Sequence, residues 1–356
     1  MKKLFSPFGV SLLFFGLVAV LSFTPYSETA QFLGLYSLVA FMVIFLHELG
    51  HVIGGRLAGY TFISLTVGPI TIIKDPQLKV IPNHGWMTFG GVASCVPAEA
   101  NLKNLLKGHK LYTAGGPVLT MIAFIISFMI WYVTQTEFAM LLAALNIAIF
   151  LATAIPFQGT FKSDGRVFLT LHKGGKEAET FLAELFLLKE MLTPKSPKEW
   201  DEKWIIQAQK AEATIDTTMT ACLLLYTKLV KENYSKASEA ITPYKQLPLT
   251  KKTKLRLQLI THIRQIDFFL SPEPDYSLIQ SLHRQLSKIE PVSYGRSEAM
   301  LAFIEGDSAR ADLLLSGVFK KCDDGLEKYG FFEAERELTL VVRDRINKMK
   351  SLVQAK

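Results

Sequence analysis

Apolar positions are unevenly spread along the chain. Four nearly uninterrupted apolar runs fall in the first half, at about Phe8–Thr24, Phe32–Ile53, Tyr112–Val133 and Phe138–Phe157. Each holds 17–22 residues, enough as a helix to cross a hydrocarbon core of about 30 Å. In lipid a backbone must satisfy its own hydrogen bonds, so helices are the expected form. Between the second and third runs the period changes. Ile63, Leu65 and Val67 alternate with Ser64 and Thr66, Gly68-Pro69 marks a turn, and Ile70-Thr71-Ile72-Ile73 follows. Trp86 to Phe89 is another short candidate, ended by Gly90-Gly91. Two to four short strands are expected in this central loop.

From about Gly174 the apolar positions recur at helical spacing among many charges. The pattern predicts helices over Lys176–Leu192, Glu199–Thr214, Thr217–Lys231, Tyr234–Tyr244, Lys254–Leu270, Ser277–Ile289, Ser297–Glu305, Ser308–Lys321 and Gly330–Lys350. The expected architecture is an all-α multi-pass membrane protein. Residues 1–173 would form four transmembrane helices with a small β element in the central loop, and residues 174–356 a soluble α-helical domain.

Composition sharpens this division. The 356 residues are 49% hydrophobic and only 20% charged, with a mean hydropathy of +0.25, which excludes a disordered chain. Residues 1–173 carry 11 basic and 6 acidic side chains, and residues 174–356 carry 28 and 26. Cys95, Cys222 and Cys322 are too few and too scattered for a disulfide framework or a cysteine-built zinc site. Lys2 and Lys3 precede the first run, six Lys or Arg lie between the second and third, and Lys162, Arg166 and Lys173 follow the fourth. The other two connections hold Glu28 and Glu137 and no basic residue. The positive-inside tendency therefore predicts that both termini and the central loop are cytoplasmic. The first run is longer than a secretory signal core of about 7–15 residues and reads as a retained anchor. With no phosphate loop and no basic recognition helix, no nucleic-acid partner is expected.

Candidate chemistry sits in the second run, as His47-Glu48-Leu49-Gly50-His51. Residues four apart share a helix face, so both imidazoles can address one point. Neutral imidazoles are good zinc ligands, and in this HExxH pattern the glutamate acts as general base toward water. Glu48 is the only carboxylate within the four runs. A charge at such depth costs upward of about 3 kcal/mol, which marks a functional site more readily than a packing contact. A third protein ligand is required. Asp164, in Ser163-Asp164-Gly165 after the fourth run, would lie on the same side as His51; by position alone it is either a ligand or a turn and helix cap.

These features together resemble the site-2 protease family of intramembrane zinc metalloproteases. The resemblance covers about residues 30–170. It rests on HELGH in one apolar run, Ala114-Gly115-Gly116-Pro117 opening the next, and Pro156 with Asp164-Gly165 ending the one after. It implies a Zn2+ site formed by His47, His51 and Asp164, water activation by Glu48, and a transmembrane or membrane-bound polypeptide substrate unwound near the cytoplasmic face of a bacterial cell membrane. Substrate held by strand addition to the central loop would suit it. Three departures bear on substrate positioning. Thr153 and Thr120 stand where the family often has asparagine, the stretch from Phe157 to Ser163 is long, and Asn146 is a candidate replacement. Thr120, Asn146 and Thr153 are therefore the expected substrate-binding residues. Gly54-Gly55 would either release the chain from the helix or mark close packing. Asn233-Tyr234 with Ala237, and Glu305-Gly306-Asp307 with Ala309 and Ala311, resemble tetratricopeptide repeats, which would present a surface to a protein partner. The alternatives are an inactive relative serving as membrane scaffold or sensor, and a metal-handling transporter.

Overall fold

The computed structural model describes residues 4–97, 102–157, 162–288 and 290–354. It divides into two compact units, Met1–Ala178 and Glu179–Lys356.

The first unit contains helices α1 (Pro7–Leu21) and α2 (Ser27–Leu57), strands β1 (Thr61–Val67), β2 (Ile70–Asp75), β3 (Gln77–Pro82) and β4 (Val92–Val96), and helices α3 (Leu102–Thr134), α4 (Glu137–Ala154) and α5 (Asp164–Lys173). Three of these helices, α2, α3 and α4, are long and apolar enough to cross a membrane. The expected first span is shorter: α1 has 15 residues, about 22 Å of helix. Within the most apolar stretches, only 22% of α2 and of α3 and 17% of α4 is buried. Their outward Leu, Ile, Val and Phe side chains suit lipid, because a water-exposed apolar face of this extent would drive association.

Helix α2 extends past Ile53 to Leu57, so Gly54-Gly55 does not release the chain. The pair marks close packing: a Cβ at Gly54 would lie 2.5 Å from the Leu111 carbonyl oxygen. One turn earlier, α2 and α3 cross backbone to backbone at Gly50 and Gly115, as small residues permit between apolar helices. Val39 and Val43 of α2 pack with Leu141, Leu145 and Ile149 of α4 on another side. Helix α3 begins about ten residues before the expected Tyr112 because Leu105 docks its charged first turns into the core at 2% exposure. The Ala-Gly-Gly-Pro motif therefore lies inside α3 instead of opening it.

The strands form one antiparallel sheet in the order β3-β2-β1-β4. The stretch from Trp86 to Phe89, expected as a strand, is a 3₁₀ turn over Trp86–Thr88, closed by Thr88 N donating to Gly85 O. The strand lies beyond the glycines, as β4. Strand β3 carried no sequence signal because all six of its residues are exposed, leaving no buried alternate face.

The second unit is helical. Helix α6 (Gly175–Met191) crosses the division, and α7 (Glu202–Gln209), α8 (Thr218–Lys231), α9 (Tyr234–Ala240), α10 (Thr242–Lys245), α11 (Gln258–Leu270), α12 (Tyr276–His283), α13 (Pro291–Ile304), α14 (Ser308–Leu326) and α15 (Phe332–Gln354) follow. The expected helix over Glu199–Thr214 is confined to α7. The one over Tyr234–Tyr244 divides at Ile241, ahead of Pro243. Ile289, the expected end of another, lies outside the described residues. Sequential helices pack as neighbours, α8 on α9, α11 on α12 and α13 on α14. The Glu305-Gly306-Asp307 turn puts Gly306 at φ +88 and lets Asp307 cap α14 through Arg310 N. At the centre Arg296 is fully buried. It pairs with Glu335 at 2.5 Å and donates from Nε to His262 Nε2 at 3.1 Å. Burial and the Arg296 charge push His262 well below the usual imidazole range, so it is a neutral acceptor.

Candidate metal centre

The helical spacing puts His47 and His51 on one face of α2, both buried. Asp164 arrives from outside the bundle. Pro156 disfavours helix at the residue before it, and α4 ends at Ala154 with Ile155 extended. The chain returns through Ser163, whose hydroxyl donates to Ile155 O and accepts from Phe157 N and from Arg166 N. Ser163 thus caps α5 and fixes its first residue, Asp164. The glycine after it is sterically required, since a Cβ at Gly165 would fall 1.8 Å from Ala154 O.

Three ligand atoms converge. Asp164 Oδ2 is 3.2 Å from His47 Nε2 and 3.3 Å from His51 Nε2, and the two Nε2 atoms are 3.3 Å apart. The outer nitrogens settle the tautomers. His51 Nδ1 is 2.9 Å from Tyr112 O, which can only accept. His47 Nδ1 is 2.9 Å from Thr120 Oγ1, and that hydroxyl spends its proton on Gly116 O at 2.8 Å. Both Nδ1 atoms are therefore protonated, and both Nε2 atoms can turn a lone pair toward the carboxylate oxygen. Three acceptors aimed at one point repel one another unless a proton or a metal ion lies between them. A tetrahedron with edges of this length has a centre about 2.0 Å from each vertex, a bond length of small divalent cations to nitrogen and oxygen. Among the described residues His47, His51 and Asp164 are the group able to hold a metal ion. Burial pushes the Asp164 carboxyl up, but a proton carried on Nε2 of either imidazole, hydrogen-bonded to Asp164, more than reverses this and holds it at about 2. It is a carboxylate near neutral pH.

Glu48 shares a cleft of about 530 Å³ with these three residues, Gly91, Ala93 and Thr153. The backbone N–H of Ala93 faces its carboxylate, and the Ala93 carbonyl accepts from the Tyr112 hydroxyl at 2.7 Å. Strand β4 is thus fastened along the metal site. Its approach depends on Gly91, at φ +107, where a Cβ would lie 2.6 Å from Glu48 Oε1.

The expected substrate-binding residues have different placements. Thr153 lines the cleft, with its hydroxyl donating to Ile149 O at 2.9 Å. Thr120 is fully buried behind His47 and orients it. Asn146 is buried in α4, donates to Leu142 O at 2.8 Å, and leaves Oδ1 without a partner among the described residues. Tyr112, Ala93 and Ser163 join the site without a chemical signature in the sequence. Tyr112 reads as the start of an apolar run, and backbone groups carry no sequence signal.

Because Thr120 holds the His47 tautomer, Thr120→Val is expected to weaken metal affinity by about 10–100-fold, measured by competition with a chelator of known affinity. Thr120→Ser should restore most of it. Equal affinities in all three proteins would show that His47 needs no such support.

Comparison of the chain with protein-family models, curated proteins and solved structures yields no match.

Proposed function

We propose that this chain is an intramembrane zinc metalloendopeptidase of the site-2 protease type, cleaving transmembrane or membrane-bound polypeptides. The observation that carries the reading is the 3.2–3.3 Å triangle of His47 Nε2, His51 Nε2 and Asp164 Oδ2, with Glu48 in the same cleft. Two imidazoles and one carboxylate at this spacing suit tetrahedral zinc better than magnesium or calcium, which favour all-oxygen shells. Four spans with both termini cytoplasmic in a cell membrane complete the proposal, α1 being the short first span.

Zinc in this site would supply Lewis-acid polarisation of the peptide carbonyl and lower the pKa of water. His47, His51 and Asp164 hold it, while Thr120 and Tyr112 hold the imidazoles. Glu48 takes a proton from the attacking water as its oxygen bonds to the carbonyl carbon. As the C–N bond breaks, Glu48 passes that proton to the leaving nitrogen, giving a new carboxyl and a new amine. Substrate would lie extended along Gly91–Ala93, since β4 is an edge strand of the sheet. In the helical unit, a hollow of about 360 Å³ bordered by Met191, Met219, Phe331 and Phe332 suits a side chain of a protein partner.

Reconstituted in vesicles with helical transmembrane peptides, the protein is expected to cleave in their cytoplasmic third. A chelator should stop cleavage and added zinc should restore it, as mass spectrometry of the products would show. Cleavage indifferent to chelation would contradict the assignment.

A further inference from the structure

A second cavity, of about 660 Å³, lies in the first unit against the end of α2. It shares no lining residue with the metal cleft, although both draw on α2, α3 and α5. Among the described residues its lining contains Lys107 and Lys110 but no Asp or Glu, and it includes His172 of α5. Neither lysine is ion-paired among the described residues. The rest of the wall is largely apolar. Leu57, Leu111 and Phe168 are 73%, 43% and 39% exposed, although each faces a concave site. Tyr60 lines the same wall, and its hydroxyl is buried without a partner among the described atoms.

The two chemistries are ordered along α3. Lys107 and Lys110 precede Leu111 and Ala114, the cavity's last lining residues on that helix. Seven residues of helix from Lys107 to Ala114 cover about 10 Å, and the apolar part of α3 continues beyond them. A ligand filling this cavity would meet positive charge at one end and hydrocarbon at the other. An inorganic anion would leave the apolar wall bare, and a neutral lipid would leave both lysines without a counter-charge.

We propose that this cavity binds one anionic phospholipid drawn from the bilayer. The phosphate lies between Lys107 and Lys110, and the first carbons of an acyl chain run past Leu111 toward Ala114. Charge complementarity commits the site to an anionic head group, because each lysine near such a lipid contributes attraction that a zwitterion does not return. The proposal rests on the membrane reading of α2–α4 and not on proteolysis.

The test is native mass spectrometry of the detergent-purified full chain, titrated with phosphatidylglycerol, with phosphatidylcholine of the same acyl chains, and with inorganic phosphate. Zinc content measured in parallel keeps this result separate from the fate of the metal site. Phosphatidylglycerol is expected to bind as one high-affinity copy, at least fivefold tighter than phosphatidylcholine. Lys107→Gln with Lys110→Gln should abolish that preference without changing zinc content, and Lys107→Arg with Lys110→Arg should keep it. Equal binding of the two lipids, or a preference that survives the Gln pair, would overturn the proposal. Displacement of the lipid by millimolar phosphate would overturn it in favour of a free-anion site.

Discussion

Replacing Glu48 by Gln is expected to lower peptide hydrolysis by about 10²–10⁴-fold, the usual contribution of a positioned acid–base group. Bound metal should stay at the wild-type level. Glu48 is next to His47 in the chain yet does not belong to the ligand triangle, so the amide leaves His47, His51 and Asp164 in place. Gln keeps the shape of the side chain and an oxygen to accept from Ala93 N–H, but it cannot take a proton from water. Turnover of a membrane peptide and zinc per chain, measured on the same preparation, separate the two effects. Turnover that survives with zinc retained would remove Glu48 from the reaction. A protein acting as scaffold or sensor would lose nothing measurable in either assay.

The largest stability effect is expected in the helical unit, at Arg296. Its guanidinium is fully buried and serves Glu335, His262, Ser293 and Thr339, while the other Glu335 oxygen accepts from the Tyr226 hydroxyl. Arg296→Ala leaves a buried carboxylate without its counter-charge and should destabilise this unit by about 3–5 kcal/mol. Arg296→Met with Glu335→Leu removes both charges at similar volume and should recover much of that loss. Amide exchange over α8, α11, α13 and α15 in the full-length protein would follow the change. The same centre sets a pH dependence. Folding holds His262 neutral, because burial and the Arg296 charge push it well below the ordinary imidazole value of about 6.5. The unfolded chain therefore binds one more proton once the pH drops below that value, and the unit should lose stability as the medium is acidified from there. A single Arg296→Ala protein as stable as wild type would show that the network contributes little.

The parts of this architecture that sequence revealed are those with a periodic or chemical signature. Long apolar runs mark α2, α3 and α4, because a helix able to cross lipid needs many consecutive apolar residues. The His-Glu-x-x-His spacing points to three residues of the candidate site, because residues four apart on a helix share a face. Asp164 is open between ligand and cap by position; the cap of α5 is Ser163, and Asp164, the first residue of that helix, turns Oδ2 to both imidazoles. What stayed hidden depends on tertiary neighbours. The first turns of α3 carry Lys103, Lys107 and Lys110, so no apolar run marks them, and burial of Leu105 supplies their anchor instead. Strand β3 has no buried face at all. Thr120 reads as a candidate substrate contact until α2 is seen packed against it, where it becomes the group that orients His47. Tyr112 joins His51 to β4 through one backbone and one side-chain oxygen, a link that no linear pattern encodes.

Zinc content is the measurement that bears most directly on the account. The wild-type protein, purified in detergent beside His51→Ala and Asp164→Ala, would be counted for metal per chain. The account predicts about one zinc in the wild type, as a tetrahedral site with three protein ligands requires, and its loss or marked weakening in both variants. No zinc in a folded wild-type protein, even after zinc is added back, would contradict it.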